Sequence, residues 1–153
     1  MTTATFWENQ QSASHRQPCS PGLGQVGAYQ VAGNPFLTGS IIDGAAANNG
    51  EISVTFPRVP KAFTIINRSS GSAAGGNELI VHLDTRANPD VVTYRHYITL
   101  GRLDSYGFDI RTKKVYLSSK AGDACEWEMH AELTSIKADE MYSLSGSGIN
   151  STD

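Results

Sequence analysis

Cys125-Glu126-Trp127-Glu128-Met129-His130-Ala131-Glu132-Leu133-Thr134 decides the reading of this chain. Odd positions carry Cys, Trp, Met, Ala and Leu, while even positions carry Glu, Glu, His, Glu and Thr. Side chains alternate between the two faces of a strand, whereas a helix repeats its face every three to four residues, so this stretch is a strand with one apolar and one solvated side. Shorter alternations lie upstream. Ile52, Val54 and Phe56 alternate with Ser53 and Thr55, and Leu79, Val81 and Leu83 with Ile80 and His82. Val92, Tyr94, Ile98 and Leu100 are expected to share a face, with His96 among them.

Turn chemistry separates these runs. Phe56-Pro57-Arg58-Val59-Pro60 contains two prolines that cannot donate to a ladder, and it is expected to connect a strand at 51–56 to one at 62–67. Ser69 to Gly76 reads as a loop, Asn88-Pro89-Asp90 as the start of a strand, and Lys120-Ala121-Gly122-Asp123 as the turn before Cys125. Strands are expected near 25–31, 37–42, 51–56, 62–67, 78–83, 91–100, 105–110, 114–118 and 125–135, about nine in all. The fold class that follows is all-β, an antiparallel β-sandwich or jelly roll.

The remaining residues flank that domain. Residues 1–24 are rich in Gln, Ser, Thr, Pro and Gly and show no sustained period, which predicts an extended N-terminal arm. Within it Phe6 and Trp7 stand out, and either pack on the arm's own domain or anchor it to a neighbouring chain. The sandwich occupies 25–135. Residues 136–153 form a C-terminal tail with one possible helical turn at 137–144.

At 153 residues the chain has room for one domain with tails. Fifteen Asp and Glu against twelve Lys and Arg give a formal charge of −3, which provides no broad positive field for nucleic acid. No apolar run approaches the roughly 18 residues of a membrane span, and residues 1–11 do not read as a secretory signal. Synthesis in a cytoplasm is therefore expected, with Cys19 and Cys125 as free thiols rather than a bridge. In that setting the sequons at Asn67 and Asn150 carry little weight.

Motifs for chemistry are weak. Gly22-Leu23-Gly24-Gln25-Val26-Gly27 matches G-x-G-x-x-G, yet no strand precedes it and no helix follows, so the dinucleotide mechanism lacks its frame. His15 with Cys19, and Cys125 with His130, do not converge as metal ligands; the second pair falls on opposite strand faces. His130 is expected to be solvated and His96 to be a hydrogen-bonded core histidine. The serines lie in Gly-rich tracts without a nucleophile elbow, and Glu126, Glu128 and Glu132 are explained by alternation alone. Arg111, Lys113 and Lys114 read as charges guarding a strand edge. No catalytic residue, cofactor or metal is expected.

An ordered set of phrases carries a resemblance. Gly27 through Ser40 (GAYQVAGNPFLTGS) leads into Ile52–Phe56 and Pro57–Lys61, then Phe63–Asn67, Tyr97–Leu100 and Ile110-Arg111 with Val115–Leu117. Ala131–Thr134 and Leu144–Ile149 close the series. This region, residues 25–149, resembles small β-sandwich structural proteins of tailed bacteriophage particles, with a longer loop at Ser69–Gly76 than their hairpin would have. The resemblance implies a non-enzymatic virion protein that decorates or cements the capsid. Its partners would be the major capsid protein or other virion proteins, and it would form a homo-oligomer, plausibly a trimer. A neck, tail or baseplate component is the nearest rival. A carbohydrate-binding sandwich, with Tyr29, Phe36, Tyr94 or Tyr106 stacking on sugar rings, is the reading from a different class.

Overall fold

The computed structural model describes residues 34–70, 77–142 and 144. Eight strands are present among them: β1 (Asn34–Ile42), β2 (Ile52–Thr55), β3 (Arg58–Asn67), β4 (Leu79–His82), β5 (Tyr97–Leu100), β6 (Ser105–Phe108), β7 (Lys114–Ser119) and β8 (Cys125–Lys137). They form two four-stranded sheets with the orders β1-β8-β3-β6 and β2-β7-β4-β5, in which every neighbouring pair is antiparallel. First pairs with eighth, second with seventh, third with sixth and fourth with fifth. That nesting is the jelly-roll order, a long antiparallel ribbon wrapped into two facing sheets. The segment expected as a strand at 25–31, the arm 1–24 with Phe6 and Trp7, Cys19 and the Gly22–Gly27 motif lie outside the described residues.

β8 is the spine of the first sheet. Cys125, Trp127, Met129, Ala131 and Leu133 are buried, while Glu126, Glu128 and His130 are exposed, so the alternation read from the sequence becomes the inward and outward faces of the strand up to Leu133; Thr134, expected on the wet side, is buried and donates to the Val59 carbonyl. Inward residues of both sheets meet in one core. Phe56 lies 5.5 Å from Phe63 and Phe63 stacks on Phe108 at 4.9 Å, distances at which aromatic pairs add to simple area burial. On the wet face Lys61 reaches Glu132 at 3.8 Å and Arg68 reaches Glu128 at 3.5 Å; both pairs are exposed and contribute at most about 1 kcal/mol each.

Four expectations are corrected. Arg58–Pro60 is not a connection: β3 begins at Arg58, and Pro60 sits inside a strand paired on β8. The register shifts on either side of Pro60, and this bulge removes the need for the donor that proline lacks. Residues 91–100 are not one strand. Asn88 caps a short helix, α1 (Pro89–Thr93), accepting from the Asp90 N–H at 3.0 Å, with Pro89 in the first turn, and only Tyr97–Leu100 is a strand. His96 therefore lies in the linker, and its Nδ1 is buried without a hydrogen-bond partner rather than bonded in the core. Finally, Lys114 guards no open edge, because it begins β7, an interior strand, while Arg111 and Lys113 lie in the connection that follows β6.

The ends of β8 and β2 complete the frame. β8 runs two residues past the expected 135, and Ile136 packs with Val59 and Met141 in a small second cluster beside the 3-10 turn Ala138–Glu140. The turn Ala47–Gly50 before β2 winds left-handed at Asn48, Asn49 and Gly50, residue types that tolerate positive φ. Asn49 Nδ2 donates to the carbonyls of Ser119 and Lys120, locking this turn to the end of β7.

Candidate functional site

Two places concentrate side chains that could do more than hold the fold. The first is on the outer face of the sheet β2-β7-β4-β5. All four residues of β4 are buried, including Ile80 and His82 on the side expected to be wet. The crossover from β4 to β5 begins over His82, and Asp84 supplies one of its hydrogen-bond partners.

His82 is the centre of that cover. Its Nδ1 lies 2.5 Å from the Asp84 carbonyl, which can only accept, so Nδ1 carries the proton and Nε2 accepts from Ser118 Oγ at 3.0 Å. Glu51 stands behind, with Oε2 3.9 Å from His82 Nδ1, Oε1 accepting from Thr85 Oγ1 at 2.6 Å and Oε2 accepting from the Arg86 N–H at 2.5 Å. Arg86 Nη1 returns to Ser118 Oγ and the Ser119 carbonyl, each at 3.4 Å, and the His82 ring stacks on Tyr116 at 5.8 Å. Burial pushes the His82 pKa below its ordinary 6.5, against the pull of the Asp84 carbonyl and the Glu51 charge.

Serine, histidine and carboxylate in this order suggest nucleophilic chemistry. The geometry serves another purpose: Ser118 is 0% and His82 2% exposed, so no substrate atom reaches the hydroxyl in this arrangement. The network fastens residues 84–86 to β7 and to the start of β2. Its members are scattered at 51, 82, 85, 86 and 118, and only the wrapping of the ribbon brings them together.

The second place is a cleft of about 420 Å³ at the side of the sandwich where β5 and β6 are the edge strands of the two sheets. Four residues, 101–104, carry the chain across from one edge to the other. That end is shut by Asn67, whose Nδ2 donates to the Leu100 carbonyl at 3.1 Å and to the Asn77 carbonyl at 2.8 Å, while its Oδ1 accepts from the Ser69 N–H at 3.0 Å. Asn67 is thus a saturated, buried amide rather than an accessible sequon. Away from the crossover the two edges part, and the cleft is walled by Val81, Ile98, Phe108 and Ile110, with Tyr97 and Tyr106 among its aromatics and His96 and Asp109 among its polar residues.

The aromatic residues proposed for sugar stacking fare differently. Tyr106 lines the cleft, 47% exposed. Phe36 does not serve, because it turns inward and meets Phe56 edge-on at 5.6 Å. Tyr94 is exposed beside His96, 5.8 Å between ring centres, and Tyr29 lies outside the described residues. Cys125 is a buried thiol that donates weakly to the Glu78 and Asp123 carbonyls, with its pKa raised by burial. Among the described residues no three His, Cys, Asp or Glu side chains gather as a metal site, and no helix is long and apolar enough to cross a membrane.

Compared with protein-family models, curated proteins and solved structures, the chain shows no significant match.

Proposed function

We propose that this chain is a structural protein of a tailed-phage virion, and within that class a capsid decoration or cement protein that acts by surface contact rather than by catalysis. The observation that carries the reading is the outer edge of β1, which no strand pairs among the described residues. Edge strands of proteins that stay alone are short, charged, bulged or covered, because an open row of N–H and C=O groups recruits another strand. β1 is nine residues long, pairs with β8 in unbroken register and contains no charged residue. Leu37 and Ile41 stand 74% and 68% exposed on its outer face, beside a groove of about 580 Å³. Such an edge suits a protein that is finished by its neighbours.

The sequence resemblance supplies the particle, and the jelly-roll order agrees with it at the level of fold, which by itself hosts unrelated functions. In this reading the protein is made in the host cytoplasm and resides in the virion, where it contacts the major capsid protein and further copies of itself. Repetition around the shell lets individually modest contacts hold firmly. Purified protein added to particles lacking it is expected to saturate at a simple ratio to the coat subunit. Saturation at a few copies per particle would move it to the neck or tail. Tyr106 on the cleft wall favours the sugar-binding alternative, and binding to a glycan array without binding to particles would replace the virion reading with that one.

A further inference from the structure

We propose that the cleft between β5 and β6 is the receptor for the Phe6-Trp7 segment of this chain, donated by a neighbouring copy. This deepens the reading above and rests on it for the source of the arm. The cleft has the character of a seat for aromatic side chains. Its volume of about 420 Å³ lies in the range of ligand pockets, and its walls pair the aliphatic groups of Ile98 and Ile110 with the rings of Tyr97, Tyr106 and Phe108. His96 is also among its lining residues, and its Nδ1 is buried without a hydrogen-bond partner.

The occupant is named by chemistry within the chain itself. Among residues 1–33 the large aromatics are Phe6, Trp7 and Tyr29, and only the first two are adjacent. They are flanked by Thr2, Thr3 and Thr5 on one side and by Gln10, Gln11 and Ser12 on the other, so the two rings are the local apolar payload. Residues 8–33 separate Trp7 from β1, and at up to about 3.3 Å per residue that tether reaches any cleft within several tens of ångströms. β5 and β6 each present an edge with no hydrogen-bonded strand among the described residues, so an extended segment could also pair its main chain there, the mode by which strands are added to open sheets.

The test uses the full chain with a photoreactive residue in place of the tryptophan, Trp7→p-benzoylphenylalanine, in an equal mixture of nitrogen-15-labelled and unlabelled protein on assembled particles. The expected result is cross-linked peptides containing residues 96–98 or 106–110, joined heavy to light, with a yield that falls at least about fivefold in Tyr106→Ala. Tyr106 is half exposed, so that variant is expected to melt as the parent does. Cross-links to the same peptides within one chain only would keep the cleft as the seat of Trp7 and overturn donation by a neighbour. Cross-links confined to other surfaces, a yield indifferent to Tyr106→Ala, or a co-purified small molecule in the cleft by native mass spectrometry would overturn the assignment, whatever the copy number on particles.

Discussion

A buried histidine held neutral makes this fold sensitive to acid. The His82 ring donates to the Asp84 carbonyl and accepts from Ser118, and burial lowers its pKa below 6.5. The unfolded chain therefore takes up a proton at a pH where the folded chain does not, so the contribution of His82 is complete above about pH 6.5 and is lost as pH falls. The melting temperature is expected to drop between about pH 7 and about pH 5, and His82→Gln should make that slope shallower. An unchanged slope would show that His82 is not the group responsible. Parity placed His82 correctly on the outer face, but alternation cannot reveal what lies over a face, and here residues from 51, 84–86 and 118 do so. Asn88 belongs to the same cover, with its Oδ1 capping α1 and its Nδ2 donating to Asp84 Oδ2 at 2.9 Å. Asn88→Ala should cost about 1 kcal/mol in chemical denaturation, the usual worth of a helix cap.

Elements differ in how openly their residues announce them. β8 was legible because Cys125 through Leu133 alternate with one face buried, and β2, β4, β6 and β7 fell close to their expected spans. β3 was read short because a proline in an interior strand is tolerated only at a bulge, and the register shift that tolerates it is a property of the pairing with β8. The helix α1 was read as strand because Val91 and Val92 favour strands locally, while the Asn88-Pro89 cap outweighs them. Two predictions belong to elements. Phe63, 2% exposed between Phe56 and Phe108, anchors β3 and β6 to the core, so Phe63→Ala should cost about 3–5 kcal/mol in urea or guanidinium unfolding. On β1, combining Leu37→Asp with Ile41→Asp should leave the melting temperature within a few degrees and weaken association with particles by at least tenfold, ~1.4 kcal/mol. Association untouched by both charges would remove β1 from the contact surface.

The molecule as a whole is a ribbon folded over itself, and that wrapping builds both candidate sites. It carries β4 beneath its own crossover, where the polar network forms, and it leaves β5 and β6 as parted edges with the cleft between them. The all-β sandwich was readable from periodicity and turn residues because those are local. The nested pairing, the buried network and the cleft were not, since each joins residues far apart in the chain, such as Val81 with Ile110 or His82 with Ser118. The arm with Phe6 and Trp7 lies outside the described residues, and its role is argued from its chemistry and from the shape of the cleft. The central claim is that the chain is a repeated building block of a virion. Quantitative mass spectrometry of purified particles, giving copies of this chain per major capsid protein, tests it most directly. The account predicts a ratio near one or a simple fraction set by shell symmetry, and absence of the chain from the particles would contradict it.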